Sequence, residues 1–435
     1  MFINNYPIVV TYMKTEEFTL SNGLKVLYCP TADKGIISAE VAIDAGSSYE
    51  EVIGVPMGTA HFLEHVATNS SNKHMNHLPE FRDYYYLEEW LNISHLTGGE
   101  QMMITNNNNA MLKEDFDIFL KAVKGFLTPD LNSDVIKKER AAIMHEYGQK
   151  IADVTAIKKQ SSLIQLFLGE SPLSNPTFVL GNADTISNIN IDDLKRFCEA
   201  NFLSNRVTMF FAGDIPENLE ELVENNFGTL PKGNEYQKIK IQKSDKMVTG
   251  RHSLELSSSK DYCNVEICFP LPSEIDKDYL ETSALINILG NMTFNAVRQK
   301  NNLAYTASAF VAPYVRNKFG VIDAKIKNDK ETIEKTYKIL WDVIEDVINL
   351  DIPEYCFRAG IHQFKKHNIT TDWGSYRTVI ASMIAKEKEG IDNEALRNKS
   401  ISLTKEDILK VIGTYLPKKD KGNYLELVYL PSKDN

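Results

Sequence analysis

The sequence predicts an α+β protein made of two homologous, α/β-sandwich-like domains in tandem, the product of an internal duplication. Three observations carry that expectation. Period-two and helical apolar runs alternate along the chain, with some strands following one another directly, which suits α+β domains better than one doubly wound sheet. A helix-cap-helix-strand passage near residue 190 recurs near residue 404, 404 − 190 = 214 positions later in a chain of 435. Between them lies an apolar-poor stretch from Pro231 to Gly250 that carries Lys232, Lys238, Lys240, Lys243 and Lys246 and reads as a linker. The expected domains are therefore 1–232 and 251–435, joined by 233–250.

The elements follow in order. Glu17–Leu20 and the alternating run Leu24–Tyr28 flank Ser21-Asn22-Gly23, so they read as a hairpin. Ile36–Ala45 is a second extended run, stopped by Gly46-Ser47-Ser48. After Gly54-Val55-Pro56 the period becomes helical, with Ala60, Leu63, Glu64 and Val66 following Gly58-Thr59. Asp115–Phe126 is a further helical pattern. Beyond Pro129 another starts, with Asn132 or Ser133 as its cap and Asp134 in its first turn. The polar, aromatic stretch 66–97, including Asp83-Tyr84-Tyr85-Tyr86, has no assignable element and is long enough to reshape a cleft.

The repeated passage is specific. Asn190 caps a helix through Phe197 that ends at Asn201-Phe202-Leu203 and leads into a strand, Val207–Phe211. Thr404 caps a helix through Val411 that ends at Tyr415-Leu416 and leads into Leu425–Tyr429.

Composition excludes several classes. With 48 Lys+Arg against 59 Asp+Glu, the net charge is −11 and the isoelectric point about 5.4, which disfavours nucleic acid and anionic membrane surfaces as partners. No apolar window of about 20 residues exists, and the first seven residues carry neither a basic region nor a long apolar run. The expectation is a soluble protein with no membrane span. Cys29, Cys198, Cys263, Cys268 and Cys356 are odd in number and form no C-x-x-C pair, so they read as small buried hydrophobes of a reducing, cytoplasmic setting.

His61-Phe62-Leu63-Glu64-His65 is an H-x-x-E-H pattern on a helical stretch. Residues i and i+4 share a helix face, so both imidazoles can aim at one ion, and Glu64 stands beside a water bound there, able to accept its proton. Two imidazoles, one carboxylate and one open position make up a catalytic zinc set. Downstream, Glu139 and Glu146 are i and i+7 on one face, so one can ligate while the other supports. Such a pair on its own is most often a solvated helix face. His145 is a rival third ligand that should face away if Glu146 faces the ion, and His74, His77 and His95 are not expected to bind metal.

Gly58-Thr-Ala-His61-Phe-Leu-Glu-His65 followed by Glu139-x6-Glu146 resembles the pitrilysin family of inverzincin metallopeptidases, which includes insulysin and mitochondrial processing peptidase. Leu180-Gly181, Phe211-Ala-Gly-Asp214 and Arg298-Gln-Lys-Asn-Asn-Leu-Ala-Tyr305 extend the resemblance over nearly the whole chain. It implies His61, His65 and Glu146 as ligands of one Zn2+ per chain, Glu64 as general base and Glu139 as the carboxylate supporting a ligand. It further implies that Arg298 and Tyr305, from the metal-free domain, grip the substrate and its oxyanion. Read without it, Arg298 is a helix-end ion-pair residue and Tyr305 a packed strand tyrosine.

Leu285-Ile-Asn-Ile-Leu289-Gly290 occupies roughly the place of the metal helix in the second half, with no His or Glu available, so only one half can bind zinc. There is one departure from the family pattern. Its Gly-Gly-x-x-Asn-Ala-Tyr-Thr substrate strand is represented by Trp90–Thr97, where Asn, Ala and Tyr are replaced.

The resemblance to the short branch of the family implies half of a clamshell, assembled as a homodimer or a heterodimer with a related subunit, whose chamber selects peptides or unfolded proteins by size. The expected function is zinc-dependent endopeptidase hydrolysis of such substrates. The alternative is a non-catalytic scaffold or partner subunit.

Overall fold

The computed structural model describes residues 14–431 apart from 71, 76–89, 107–109, 153–162, 170, 176, 243–247, 258–259, 315–316 and 371–373. His77, Asp83–Tyr86, Lys243 and Lys246 of the sequence reading lie outside the described residues.

Seven strands form the first sheet: β1 (Glu16–Thr19), β2 (Lys25–Pro30), β3 (Ile36–Ile43), β4 (Ser94–Thr97), β5 (Met102–Thr105), β6 (Met111–Leu112) and β7 (Val207–Gly213). Their order is β1-β2-β7-β3-β5-β4, with β6 pairing β3. The expected hairpin is β1–β2, in which Phe18 faces Val26, and Gly23 supplies the positive φ its turn requires. The second sheet holds β8 (Gly250–Ser257), β9 (Tyr262–Leu271), β10 (Ala304–Tyr314), β11 (Asn317–Lys327) and β12 (Leu425–Pro431), in the order β8-β12-β9-β11-β10.

Five strands of the first sheet, β2-β7-β3-β5-β4, follow the same order as β8-β12-β9-β11-β10 of the second, while β1 and β6 have no counterpart among the described residues. β7 lies parallel to β2 and antiparallel to β3, just as β12 lies parallel to β8 and antiparallel to β9. The antiparallel pairs β3·β5 and β5·β4 have their counterparts in β9·β11 and β11·β10. Duplication of a mixed α/β unit, expected from the repeated cap, is thus written into the sheet topology.

Helices cover one face of each sheet. In the first these are α1 (Ser48–Ile53), α2 (Thr59–Asn69), α3 (Phe116–Leu127), α4 (Ser133–Ala152) and α5 (Ile191–Asn201); Ile37, Ala39, Val41 and Ile43 of β3 share their core with Phe62, Val66, Phe119 and Val123. Of the two candidate caps for α4, Asn132 serves, its side chain accepting from Asp134 N at 2.8 Å. Asn190 and Thr404 each close a reciprocal capping box, with Asp193 and Asp407 respectively, on α5 and its later counterpart. The later helices are α6 (Tyr279–Thr293), α7 (Lys330–Ile348), α8 (Glu354–Thr370), α9 (Tyr376–Ile384) and α10 (Lys405–Tyr415).

The compact units are not contiguous in sequence. One comprises Met1–Gly148, Thr177–Lys240 and Asp372–Glu389; the other Gln149–Pro176, Ile241–Thr371 and Gly390–Asn435. A single cut at 233–250 does not describe them, because each half of the chain lends a helical segment to the other's sheet. Val379, Ile380 and Met383 of α9 cover the second face of the first sheet, on Leu27, Cys29, Ala42, Phe210 and Ala212. Phe167 and Leu168, in helical residues 163–168, cover Cys268, Phe319, Val321, Leu425 and Leu427 of the second sheet. A sheet with two apolar faces leaves one bare unless something covers it, and burying each such side chain is worth about 1.5–3 kcal/mol.

The first part of the expected linker is also structured. Tyr236 donates to Asp44 Oδ2 at 2.5 Å, Lys238 lies 3.5 Å from the same carboxylate, and Ile239 N donates to the Tyr49 hydroxyl. Cys263 and Cys268 lie on opposite faces of β9, and all five cysteines are free thiols.

Candidate metal centre

The residues of the site are delivered by α2 and α4, and both helices are held at their backs. Gly58 N-caps α2 at φ +93°, where a Cβ would stand 2.7 Å from Leu180 O. Gly181, at φ +84°, meets it from the other side, so both positions need glycine. The buried Glu50 carboxylate accepts from Gly58 N at 3.1 Å and Ala60 N at 2.8 Å, filling two donor positions at the helix start. Burial pushes the Glu50 carboxyl up to about 8, against these two donors, which favour the charged form.

Ala60, Phe62, Leu63 and Val66 face the core, which turns His61, Glu64 and His65 outward. On α4, Ile136 and Ile143 are buried, and Arg140 donates to Ile186 O and to Ile189 O at 2.6 Å while its guanidinium lies 5.1 Å above the Phe62 ring. That side chain ties α4 to α2 and to the segment before α5.

The two faces meet. His61 Nε2 and His65 Nε2 each lie 3.6 Å from Glu146 Oε2, and one ligand atom from each of the three residues falls within 4.8 Å of the others. Among the described residues this is the group of His, Cys, Asp and Glu side chains arranged to hold an ion. Glu139, two helical turns earlier at i−7, is buried, and its Oε2 lies 3.3 Å from His65 Nδ1. Of the two carboxylates, Glu146 is the one that faces both imidazoles. Burial works against a charged His65, but its hydrogen bonds to Glu146 and Glu139 and the nearby Glu64 charge hold it above the usual histidine value.

Glu64 Oε2 accepts a short hydrogen bond from the hydroxyl of Thr97, at the end of β4. β4 is the terminal strand of its sheet. Its turn into β5 is clasped by the chain before α1: Gly46 N donates to Glu100 O, Ser47 N to Gly98 O and Ser48 N to Gly99 O.

The other candidates lie elsewhere. His145 is exposed and outside the group. His74 bonds Thr128 Oγ1 at 2.9 Å, and burial beside Lys124 and Lys73 lowers it to about 4. His95 stacks on Phe126. Arg298 and Tyr305 belong to the second unit, where the guanidinium lies 4.6 Å above the tyrosine ring and Nη1 donates to Ala304 O at 3.3 Å. Tyr305 is 79% exposed rather than packed.

Sequence reasoning passed over Glu50, Arg140 and the Thr97–Glu64 bond. A buried acid between a strand end and a glycine-capped helix was the one available signal for Glu50. The other two depend on contacts between distant segments.

Fold and site together define a duplicated α/β protein in which one unit carries an H-x-x-E-H helix faced by a Glu-x6-Glu helix. A family model described as "Peptidase M16 inactive domain" matches residues 188–364, a stretch that contains Arg298 and Tyr305 and none of His61, Glu64, His65, Glu139 and Glu146. The chain is 28% identical over 220 residues to mitochondrial-processing peptidase subunit beta of Lentinula edodes, covering 50% of this chain and 45% of the relative. It is 24% identical over 267 residues to the non-peptidase homolog YmxG of Helicobacter pylori (57% of each), and 25% identical over 239 residues to the probable zinc protease PqqL of Haemophilus influenzae (52% of this chain, 24% of the relative). The matched regions thus span 24% to 57% of these relatives' own length. In fold, the chain is similar to the first half of the periplasmic protease PqqL of Escherichia coli, with a TM-score of 0.77 at 13% identity over 97% of this chain and 92% of that one. These similarities all point to peptidase family M16, the pitrilysin-like family, whose inactive-domain model matches residues 188–364.

Proposed function

We propose that the chain is a zinc-dependent metallopeptidase that hydrolyses peptide bonds in peptides or unstructured segments. The observation that carries this reading is the convergence of His61, His65 and Glu146, with Glu139 behind His65. Two neutral imidazoles and one carboxylate form a donor set suited to zinc, and a carboxylate on the far ring nitrogen fixes tautomer and orientation. Zinc held by His61, His65 and Glu146 would act as a Lewis acid and make an attacking water acidic enough to lose its proton near neutral pH.

Glu64 takes the proton that the attacking water loses and hands it to the amine nitrogen as the C–N bond breaks, leaving a carboxylic acid and an amine. The Thr97 hydroxyl holds the Glu64 carboxylate in one orientation while it does so. Following the family resemblance, Arg298 and Tyr305 hold the substrate and its oxyanion, and a related subunit completes the assembly.

The test is cleavage of a quenched, unstructured peptide by the purified chain, with and without chelator, beside Glu64→Gln. Activity lost to chelator and to Glu64→Gln supports the reading; equal cleavage in all three samples rejects it. A second reading, a non-catalytic partner subunit, is favoured by the match to a relative named a non-peptidase homolog. It predicts no cleavage by the chain alone and enhanced cleavage by a catalytic relative when the two are mixed.

A further inference from the structure

Asp44 directly follows β3, and its buried carboxylate is shared by three segments far apart in the chain. Oδ1 accepts from Gln101 Nε2 at 3.0 Å and from Lys388 Nζ at 3.3 Å, while Oδ2 accepts from the Tyr236 hydroxyl at 2.5 Å and faces Lys238. Gln101 belongs to the turn between β4 and β5. Tyr236 and Lys238 lie on the stretch that leaves the first unit after Lys240, and Lys388 on the segment that leaves it after Glu389. We infer that Asp44 is a positioning residue for Glu64, through which these two departing segments govern the orientation of the general base.

The links from Asp44 toward Glu64 run through backbone, which makes them stiff. Gln101 O accepts from Gly98 N at 2.8 Å, closing the turn directly after Thr97, and Thr97 pairs Met102, the residue after Gln101. From Asp44 the chain continues through Ala45 into Gly46, Ser47 and Ser48, the residues that clasp the same turn. A Cβ on Gly46 would stand 2.5 Å from Gln101 N, so the two backbones touch with no slack between them. Thr97 therefore sits where Asp44 and the clasp put it, and its hydroxyl holds Glu64.

The links toward the departing segments run through side chains of the first unit. Lys388 lies in the π-helical turn Ala385–Glu389 that extends α9, and its ammonium also donates to Thr208 Oγ1 of β7 at 3.3 Å. Lys240 Nζ donates to Lys388 O at 2.6 Å, which ties the two departures to each other. Glu387 anchors the turn to Lys25 of β2 at 2.8 Å. On the other side, the Arg206 guanidinium lies 4.0 Å from the Tyr236 ring and donates to Asp44 O at 3.1 Å. A buried carboxylate holding three hydrogen bonds and a further cation resists rotation, because its partners must move together or be left unpaired. Loosening either departing segment thus loosens Asp44, then the turn, then Glu64.

The kinetic consequence rests on the proposed function; the mechanical coupling does not. Gln101→Leu cuts the link from Asp44 to the turn, and Lys388→Met releases the segment that ends at Glu389. Each is expected to lower kcat about 3- to 10-fold, with KM and zinc content near parental values, and the double variant should lose no more than the worse single one. In a Thr97→Val background the last link is already gone, so either substitution should lower kcat by less than about 2-fold further. A loss that repeats at full size in that background overturns the inference, since general loosening of the fold lowers turnover whether or not Thr97 holds Glu64.

Hydrogen exchange, read by mass spectrometry, follows the coupling without a substrate. Lys388→Met should speed exchange in peptides covering 44–48 and 96–101 by about 3-fold or more, while α3 keeps its parental rates. Parental exchange in both peptides of a folded Lys388→Met protein overturns the inference. Glu387→Gln, which frees the same turn from Lys25 at a less buried position, covers the case in which Lys388→Met does not fold; it should act in the same direction, and no acceleration counts against the coupling. A parental chain that cleaves no peptide defeats the proposed function, and exchange still decides whether Asp44 joins the departing segments to the support of Glu64.

Discussion

Glu139 stands directly behind His65, its Oε2 3.3 Å from Nδ1, while Nε2 of the same ring lies 3.6 Å from Glu146. Carboxylates on both edges fix the ring's tilt and favour its protonated form, so Nε2 must give up a proton before it can ligate an ion. Glu139→Gln keeps the shape and removes the charge. It is expected to weaken zinc binding about 10- to 100-fold, measured by competition with a chromophoric chelator, whereas His65→Ala abolishes it. Unchanged affinity in Glu139→Gln would show that the buried carboxylate serves only packing.

Thr97 is the residue that holds Glu64. Thr97→Val removes the donor at nearly constant volume, and a hydrogen bond to a charged group is worth about 1.5–3 kcal/mol, so turnover should fall roughly 10- to 100-fold. The Michaelis constant and zinc content should stay near the parental values, and Thr97→Ser should restore most of the rate. A Val variant with parental turnover contradicts the assignment.

Glu50 closes the start of α2 through Gly58 N and Ala60 N. Glu50→Ala leaves both N–H groups buried without their acceptor and is expected to cost about 1–3 kcal/mol of stability. Urea unfolding should register that loss, and zinc affinity should fall with it, because His61 follows Ala60 in the chain.

The segment that reaches into the first unit from the later half of the chain is pinned by charge as well as by apolar contact. Lys388 Nζ lies 3.3 Å from Asp44 Oδ1, and both side chains are nearly inaccessible to water. Burial pushes the Asp44 carboxyl up, but Lys388, Tyr236, Lys238 and Gln101 together hold it below the usual carboxylate range. Lys388→Met removes the buried cation beside Asp44 but leaves Tyr236, Lys238 and Gln101 on that carboxylate, so the expected cost is about 1–3 kcal/mol, below that of a fully unpaired buried charge. Asp44→Asn added to it should recover part of the loss, and a denaturant cycle over the four proteins measures the coupling.

Glu40 gives the protein a pH dependence of known sign. Burial pushes its carboxyl up to about 7, although Thr105 donates to it at 2.6 Å. The unfolded chain ionises this group near 4.3, so between that value and about 7 the folded protein holds the extra proton. Stability falls as pH rises through this window, by up to about 1.4 kcal/mol per pH unit, and levels off above it. Glu40→Gln should remove that slope. The check is the difference between parental and variant urea midpoints at pH 5, 6 and 8, and a constant difference contradicts the assignment.

The helix caps explain why so much of the fold was legible. Asn190 and Thr404 close their boxes within three residues of themselves, so local chemistry suffices to read them. Positions i, i+4 and i, i+7 share a helix face whatever the tertiary context, which is why the faces of α2 and α4 could be drawn before they were seen to meet. That Glu146 rather than His145 turns toward the imidazoles follows from the same geometry once Ile143 is buried.

The exchanged segments, the Asp44–Lys388 pair and the partners of Glu64 and Glu50 were not legible. Asp44 and Lys388 are 344 residues apart, and a lysine in a run of alternating charges reads as solvated. Likewise, Val379, Ile380 and Met383 announce an apolar stripe without saying which sheet it covers.

Local order, then, belongs to the sequence by itself: the duplication, the caps, the strand and helix periods and the shared face of His61 and His65, all governed by interactions a few residues long. Only the tertiary structure decided which stripe covers which sheet, which carboxylate backs His65 and which hydroxyl holds Glu64. The reason is physical. Any apolar stripe can bury itself against any matching face, and closing a loop of hundreds of residues costs little more entropy than closing one half as long, so the choice falls to packing over the whole chain.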